Sequence, residues 1–129
     1  MKKLLCLMLL CATVLGFTSC VKGDPNSDFD AIELIGTWGT STPYISNQTL
    51  CTYITFEDNG SGITKAEVIS NSGSVVSSAT ENFTYSMRGN IMTFQDKLGS
   101  REFVVSISGD VLTLTNKVFG TKEVYSRVN

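Results

Sequence analysis

The stretch Phe103-Val104-Val105-Ser106-Ile107-Ser108-Gly109-Asp110-Val111-Leu112-Thr113-Leu114-Thr115 decides the fold class. Phe103, Val105 and Ile107 alternate with Val104 and Ser106, and Leu112 and Leu114 keep the same two-residue period beyond Ser108-Gly109-Asp110. A period of two turns one side of each run inward, and a short glycine-bearing link joins such runs as antiparallel neighbours. The stretch therefore reads as a β-hairpin with one buried face.

Working back toward the N-terminus, the pattern repeats. Ile54 and Phe56 alternate with Tyr53, Thr55 and Glu57; Phe83, Tyr85 and Met87 with Asn82, Thr84 and Ser86; Met92 pairs with Phe94. Eight strands are expected, at 37–42, 51–57, 62–69, 79–87, 90–95, 101–107, 111–115 and 121–128. Asp58-Asn59-Gly60-Ser61-Gly62, Arg88-Gly89-Asn90 and Ser108-Gly109-Asp110 are tight turns, whereas 43–50, 70–78, 96–100 and 116–120 read as longer connections. In an up-and-down meander the two kinds of link fall at opposite ends. Closure of eight strands on themselves removes the sheet edges, so an all-β, eight-stranded antiparallel barrel is expected. A short helix should precede it, capped by Ser27 or Asp28, with Phe29, Ile32 and Ile35 on one face and Gly36 ending it.

The first twenty residues have a different logic. Lys2 and Lys3 precede an apolar run from Leu4 to Leu15, and Phe17-Thr18-Ser19 leads to Cys20. The run is shorter than the ~20 residues of a membrane-spanning helix, and the layout is that of a secretory signal. Phe17-Thr18-Ser19-Cys20 resembles the lipobox of bacterial lipoproteins. That resemblance implies cleavage before Cys20, a diacylglyceryl group on its thiol and an acylated new amino terminus. Residues 1–19 are then a signal peptide, 20–27 the lipidated cysteine with a tether containing Gly23 and Pro25, and 28–129 the barrel domain.

After cleavage 110 of the 129 residues remain, enough for one core. Loss of Lys2 and Lys3 from the 10 basic residues leaves 8 against 12 acidic ones, a net charge of −4. No basic stripe remains to neutralise phosphates, which argues against a nucleic-acid partner. Cys6 and Cys11 leave with the signal and Cys20 is modified, so Cys51 has no intramolecular partner and is expected as a small, buried or half-buried side chain.

Leu34-Ile35-Gly36-Thr37-Trp38 resembles the Gly-x-Trp opening of lipocalins. Phe103 to Thr115, followed by Tyr125-Ser126-Arg127-Val128, is similar to the C-terminal half of lipocalin-like lipoproteins of Bacteroidota. The resemblance implies a lipocalin-like barrel in which Arg127 packs over Trp38 at the closed end, with Gly36, Trp38 and Arg127 in structural roles. It also implies outer-membrane attachment. Asp24, soon after Cys20, resembles the surface-export signals of these lipoproteins, and the periplasmic or cell-surface side stays open.

Catalytic residues, a metal site and a cofactor are not expected. The chain has no histidine, the usual general base and metal ligand. Asp58-Asn59-Gly60-Ser61-Gly62 lacks the glutamate of a calcium loop, since Ile69 holds the twelfth position. The serines of 70–78 have no base to activate them. Binding is what remains, and Tyr44, Ile45, Val75, Val76, Leu98, Val118 and Phe119 form a candidate rim at the longer-connection end. The expected function is that of a lipid-anchored protein binding a small hydrophobic ligand that enters there; the alternative is a module whose barrel is filled and whose rim contacts an envelope or host protein. The aromatic inward positions Trp38, Phe56, Phe83, Tyr85, Phe94 and Phe103 predict a small or nearly filled interior. With the tether at the tight-turn end, the rim would point away from the membrane.

Metabolic labelling with a fatty-acid analogue should mark the wild-type protein and leave Cys20→Ser unlabelled and unattached to membranes. An unmodified thiol at position 20 in the mature chain would sink the lipoprotein reading.

Overall fold

The computed structural model describes residues 23–128. The signal segment, Cys20 and residues 21 and 22 lie outside the described residues. Eight strands follow one another as β1 (Gly36–Pro43), β2 (Thr49–Phe56), β3 (Ser61–Ile69), β4 (Val75–Arg88), β5 (Ile91–Asp96), β6 (Gly99–Ser108), β7 (Val111–Asn116) and β8 (Lys122–Arg127). Each pairs antiparallel with the next, and β8 returns to β1 to close the barrel. The all-β, eight-stranded antiparallel barrel read from the alternation is the one observed.

The inward half of each alternating run makes the core. Trp38, Ile54, Phe56, Phe83, Met92, Phe94, Phe103, Val105, Leu112, Leu114 and Tyr125 pack with Leu34 into one cluster, and Tyr85, Met87 and Ile107 flank it. Phe83 stacks on Phe94 with centroids 4.4 Å apart, and Phe56 and Phe103 meet that pair edge-on at 5.5 and 6.1 Å. Both arrangements suit the aromatic quadrupole. Gly62 makes room for the stack, because a Cβ there would fall on the Phe83 ring and on the Thr55 carbonyl.

Two expectations need correction. The N-terminal helix is only a 3₁₀ turn, Ala31–Leu34, capped by Asp30, whose carboxylate accepts the Ile32 N–H at 3.0 Å. Ser27 instead accepts the Phe29 N–H, one turn too early to start a helix. A four-residue turn cannot present an α-helical face. Leu34 is buried, while Ile32 is 77% exposed. Gly36 then takes φ +126°, a region costly for residues with a Cβ, as the chain bends into β1.

The second correction concerns the links. Residues 70–78 are not a long loop: the Ser70 N–H donates to the Ser74 carbonyl, the Ser70 hydroxyl accepts the Ser72 and Ser74 N–H groups, and Val75 already belongs to β4. Lys97 and Leu98 alone join β5 to β6, tightened by the Leu98 N–H donating to Asp96. Serine and aspartate side chains here satisfy the turn's backbone, so close reversals form without the Asn-Gly or Gly-Gly pairs that mark a hairpin in sequence. The links after β2, β4 and β6 still share one end, and those after β1, β3, β5 and β7 the other.

At the first of these ends, Trp38 Nε1 donates to the Leu34 carbonyl at 2.9 Å, and the Arg127 guanidinium lies 4.0 Å from the indole centre. Arg127 also donates to the Glu33 carbonyl at 2.8 Å and the Ile35 carbonyl at 3.4 Å. One side chain thereby ties β8, β1 and the 3₁₀ turn together.

Arg127→Met keeps the aliphatic stem but loses the charge and both carbonyl contacts. The stability should fall by about 2 kcal/mol, measured as a lower urea midpoint. Arg127→Lys should recover less than half of it, because a point ammonium cannot serve two carbonyls and the ring together.

Candidate functional site

The end opposite the Arg127 clamp is built differently. The β4–β5 ladder stops at Thr84↔Gln95, and the β8–β1 ladder consists of Trp38↔Arg127 and Gly39↔Ser126. Beyond these pairs, among the described residues, Val75–Phe83 has no partner strand on its β5 side, nor Thr40–Pro43 on its β8 side. The barrel is closed at its floor and divided above it into two walls, β1–β4 and β5–β8.

Continuing the inward alternation past the core shows what lines the space between the walls. Above Phe83 stands Glu81, above Phe94 Asp96, above Phe103 Arg101, above Tyr125 Glu123 and above Leu114 Asn116. Thr40 and Thr52 follow Trp38 and Ile54 in the same way. An apolar floor is thus capped by a polar, charged chamber.

These charges are paired. Arg101 clasps Asp96 through two bonds of 2.9 and 3.3 Å while lying 5.1 Å from the Phe94 centroid. The guanidinium bond holds the Asp96 carboxyl below the usual carboxylate range, and the Leu98 N–H adds to it. Lys97 bridges the parted strands to Glu81 at 2.6 Å, which raises the lysine pKa. The Tyr125 hydroxyl donates to Glu123 at 2.7 Å; burial first, and the glutamate charge second, push its ionisation upward.

The predicted rim residues all sit at this end. Tyr44 and Ile45 lie in the β1–β2 link, Leu98 in the β5–β6 turn, and Val118 and Phe119 in the β7–β8 link. Val75 and Val76 are in strand rather than loop. All seven are exposed, Val118 to 80% and Phe119 to 71%, and none belongs to the core cluster. Arg127, Trp38 and Gly36 occupy the opposite end. Cys51 is half-buried on β2 and unbridged. Among the described residues no group of three or more His, Cys, Asp or Glu could hold a metal ion.

The ring of charges above the floor was missed in the sequence, although a signal existed. Glu81, Asp96, Arg101 and Glu123 each stand two residues beyond a core aromatic, at the same end of their strands. One further step of each alternation places them inside.

A family model described as a lipocalin-like domain matches residues 34–117. Among solved structures, the fold is similar to that of the Cpx pathway activator NlpE from Escherichia coli, with a TM-score of 0.51 at 17% identity over 73% of this chain. The match covers 47% of the NlpE chain, so the shared fold spans about half its length. No curated protein matches.

Tyr125 yields a pH signature. Unfolded, its phenol ionises near pH ~10, whereas the folded chain keeps it neutral to higher pH. Above that pH the unfolded state loses a proton that the native state retains, so stability falls by up to ~1.4 kcal/mol per pH unit. Tyr125→Phe should cost about 1 kcal/mol at pH 7 and show a shallower alkaline loss in urea midpoints between pH 8 and pH ~11.

Proposed function

We propose that this chain, which belongs to the lipocalin-like domain family, is a lipid-anchored outer-membrane protein that acts without catalysis, as a contact module for another envelope protein or a host protein. The observation that carries this reading is the packed aromatic floor beneath a charged, open chamber with exposed apolar side chains around it. A filled barrel leaves little depth for a purely apolar guest. Exposed Ile45, Leu98, Val118 and Phe119, with charged groups just inside, instead suit a protein surface that mixes apolar anchors and polar contacts.

The path of the tether supports the orientation. Gly23 is seated against Ile91, and Asp24 exchanges bonds with Asn90, its N–H donating to the Asn90 side chain at 2.7 Å and its carbonyl accepting the Asn90 N–H at 3.3 Å. These contacts hold residue 23 beside the β4–β5 turn, at the Arg127 end. With an anchor at Cys20, only three residues earlier, the chamber is directed away from the membrane. The periplasmic and extracellular sides both permit that geometry. Activation of a pathway, the role that the name of NlpE gives, is one use of such a contact.

A second reading is favoured by the aromatics directly under the chamber. There a small hydrophobic ligand rests on Phe94 and Phe103 between the two walls.

A photo-reactive residue at Phe119, in cells, should capture a discrete protein partner that the same probe at Asp110, on the opposite end, does not. Native mass spectrometry of the mature chain released from micelles should show the bare mass. Reproducible small-molecule adducts, lost in Phe94→Ala, with no protein capture from position 119, would replace the first reading by the second.

A further inference from the structure

The end of the barrel that holds the Arg127 clamp also carries exposed apolar side chains, and they gather around the clamp itself. Ile32 precedes Glu33, whose carbonyl accepts the Arg127 guanidinium at 2.8 Å, and Val111 follows Asp110, whose carbonyl accepts the Arg127 N–H at 2.8 Å. Val128 follows Arg127 and donates its N–H to the Thr37 carbonyl. Ile32 is 77% exposed, Val128 53% and Val111 40%, and none belongs to the core cluster. A single exposed valine or isoleucine is ordinary on a protein surface. Three brought to one point, from the 3₁₀ turn, the β6–β7 turn and the end of β8, form a patch.

What faces this patch follows from where the chain enters. Bonds between Asp24 and Asn90, and the seat of Gly23 against Ile91, hold the tether on the β4–β5 turn. In a closed ring of eight consecutive strands, that turn and the β8–β1 seam are diametrically opposed. Tether and patch thus stand at opposite sides of one end face. Cys20 lies three residues before Gly23, and three extended residues reach only ~10 Å. An anchor at Cys20 leaves this end face as the part of the barrel next to the bilayer.

We propose that Ile32, Val111 and Val128 form a membrane-docking patch that settles into the interface of a zwitterionic, ammonium-bearing phospholipid surface, phosphatidylethanolamine above all. The inference rests on the lipid-anchored reading and adds a second point of support to it. Short apolar side chains on a barrel end reach the headgroup boundary and no deeper.

Charge selects the lipid. Asp30, Glu33 and Asp110 stand exposed around the three apolar residues. The one guanidinium among them, Arg127, pairs loosely with Asp110 at 3.7 Å and is otherwise taken up by the indole and two carbonyls. Carboxylates at headgroup level accept bonds from lipid ammonium groups, whereas an anionic surface repels them. The same carboxylates repel a second copy of the chain. One anchor alone lets the barrel tilt about it. A second contact across the end face holds the axis upright, so the chamber and its rim stay directed outward.

Reconstitution of the mature lipidated chain tests the patch, in phosphatidylethanolamine–phosphatidylcholine vesicles whose lipids are brominated near the top of their acyl chains. Trp38 is the sole tryptophan and is buried, so a tryptophan placed on the surface reports its own surroundings. Ile32→Trp should be blue-shifted and quenched at least twofold, while Phe119→Trp, at the far end, should not change. Ile32→Ser with Val128→Ser should remove the quenching of a Val111→Trp reporter without moving the urea midpoint, because these side chains are exposed. Phosphatidylglycerol in place of the zwitterionic lipids, at low salt, should abolish the quenching of Ile32→Trp while the protein still floats with the vesicles. Flotation without quenching at position 32, equal quenching at 32 and 119, or equal quenching in phosphatidylglycerol would overturn the patch and leave the anchor standing. A blue shift without quenching would overturn it in favour of a second copy. Failure to float would remove the anchor, and the patch with it.

Discussion

Closure of this barrel depends on one cation. β8 and β1 share two register pairs, Trp38↔Arg127 and Gly39↔Ser126, the shortest ladder in the sheet. Two pairs hold a seam poorly unless side chains reinforce it. Arg127 does so from within one of those pairs, covering the Trp38 indole and bonding the Glu33 and Ile35 carbonyls. The indole in turn holds the Leu34 carbonyl, so the 3₁₀ turn, the first strand and the last strand meet at one point. The backbone adds the Arg127 N–H to the Asp110 carbonyl and the Val128 N–H to the Thr37 carbonyl.

The stiffness of that end lets the other end stay open. A floor of stacked and edge-on phenylalanines closes the lower barrel, and the two seams separate above it. The inward positions there no longer meet an opposing apolar side chain. Charged residues can occupy them while remaining wet, provided that each finds a partner, as Arg101 with Asp96 and Glu81 with Lys97 do. The change from aromatic to charged within one alternating run therefore marks the height at which the barrel stops being a core.

This arrangement divides labour along the barrel axis. Stability resides near Trp38, Leu34 and Arg127, where the tether also docks through Asp24 and Asn90. Recognition is left to the far end, whose links contribute exposed apolar side chains and no core residues. The unpaired part of β4 lies at that same far end.

The sequence by itself determined the number of strands, their antiparallel order and the identity of most of the core. Period-two alternation and glycine turns are local signals, and Phe83, Phe94, Phe103 and Leu112 are where that alternation puts them. Local signals also misled: Phe29, Ile32 and Ile35 look like a helical face, yet a four-residue turn buries Leu34 instead. Only the tertiary structure decided where the ladders end. The length of a ladder depends on strand stagger between neighbours far apart in sequence, and neither Thr84 nor Gly39 differs visibly from the residues around it. With the ladders' ends came the charged chamber and the unpaired part of β4, because an inward position is core or chamber, and an edge paired or bare, according to what stands across from it.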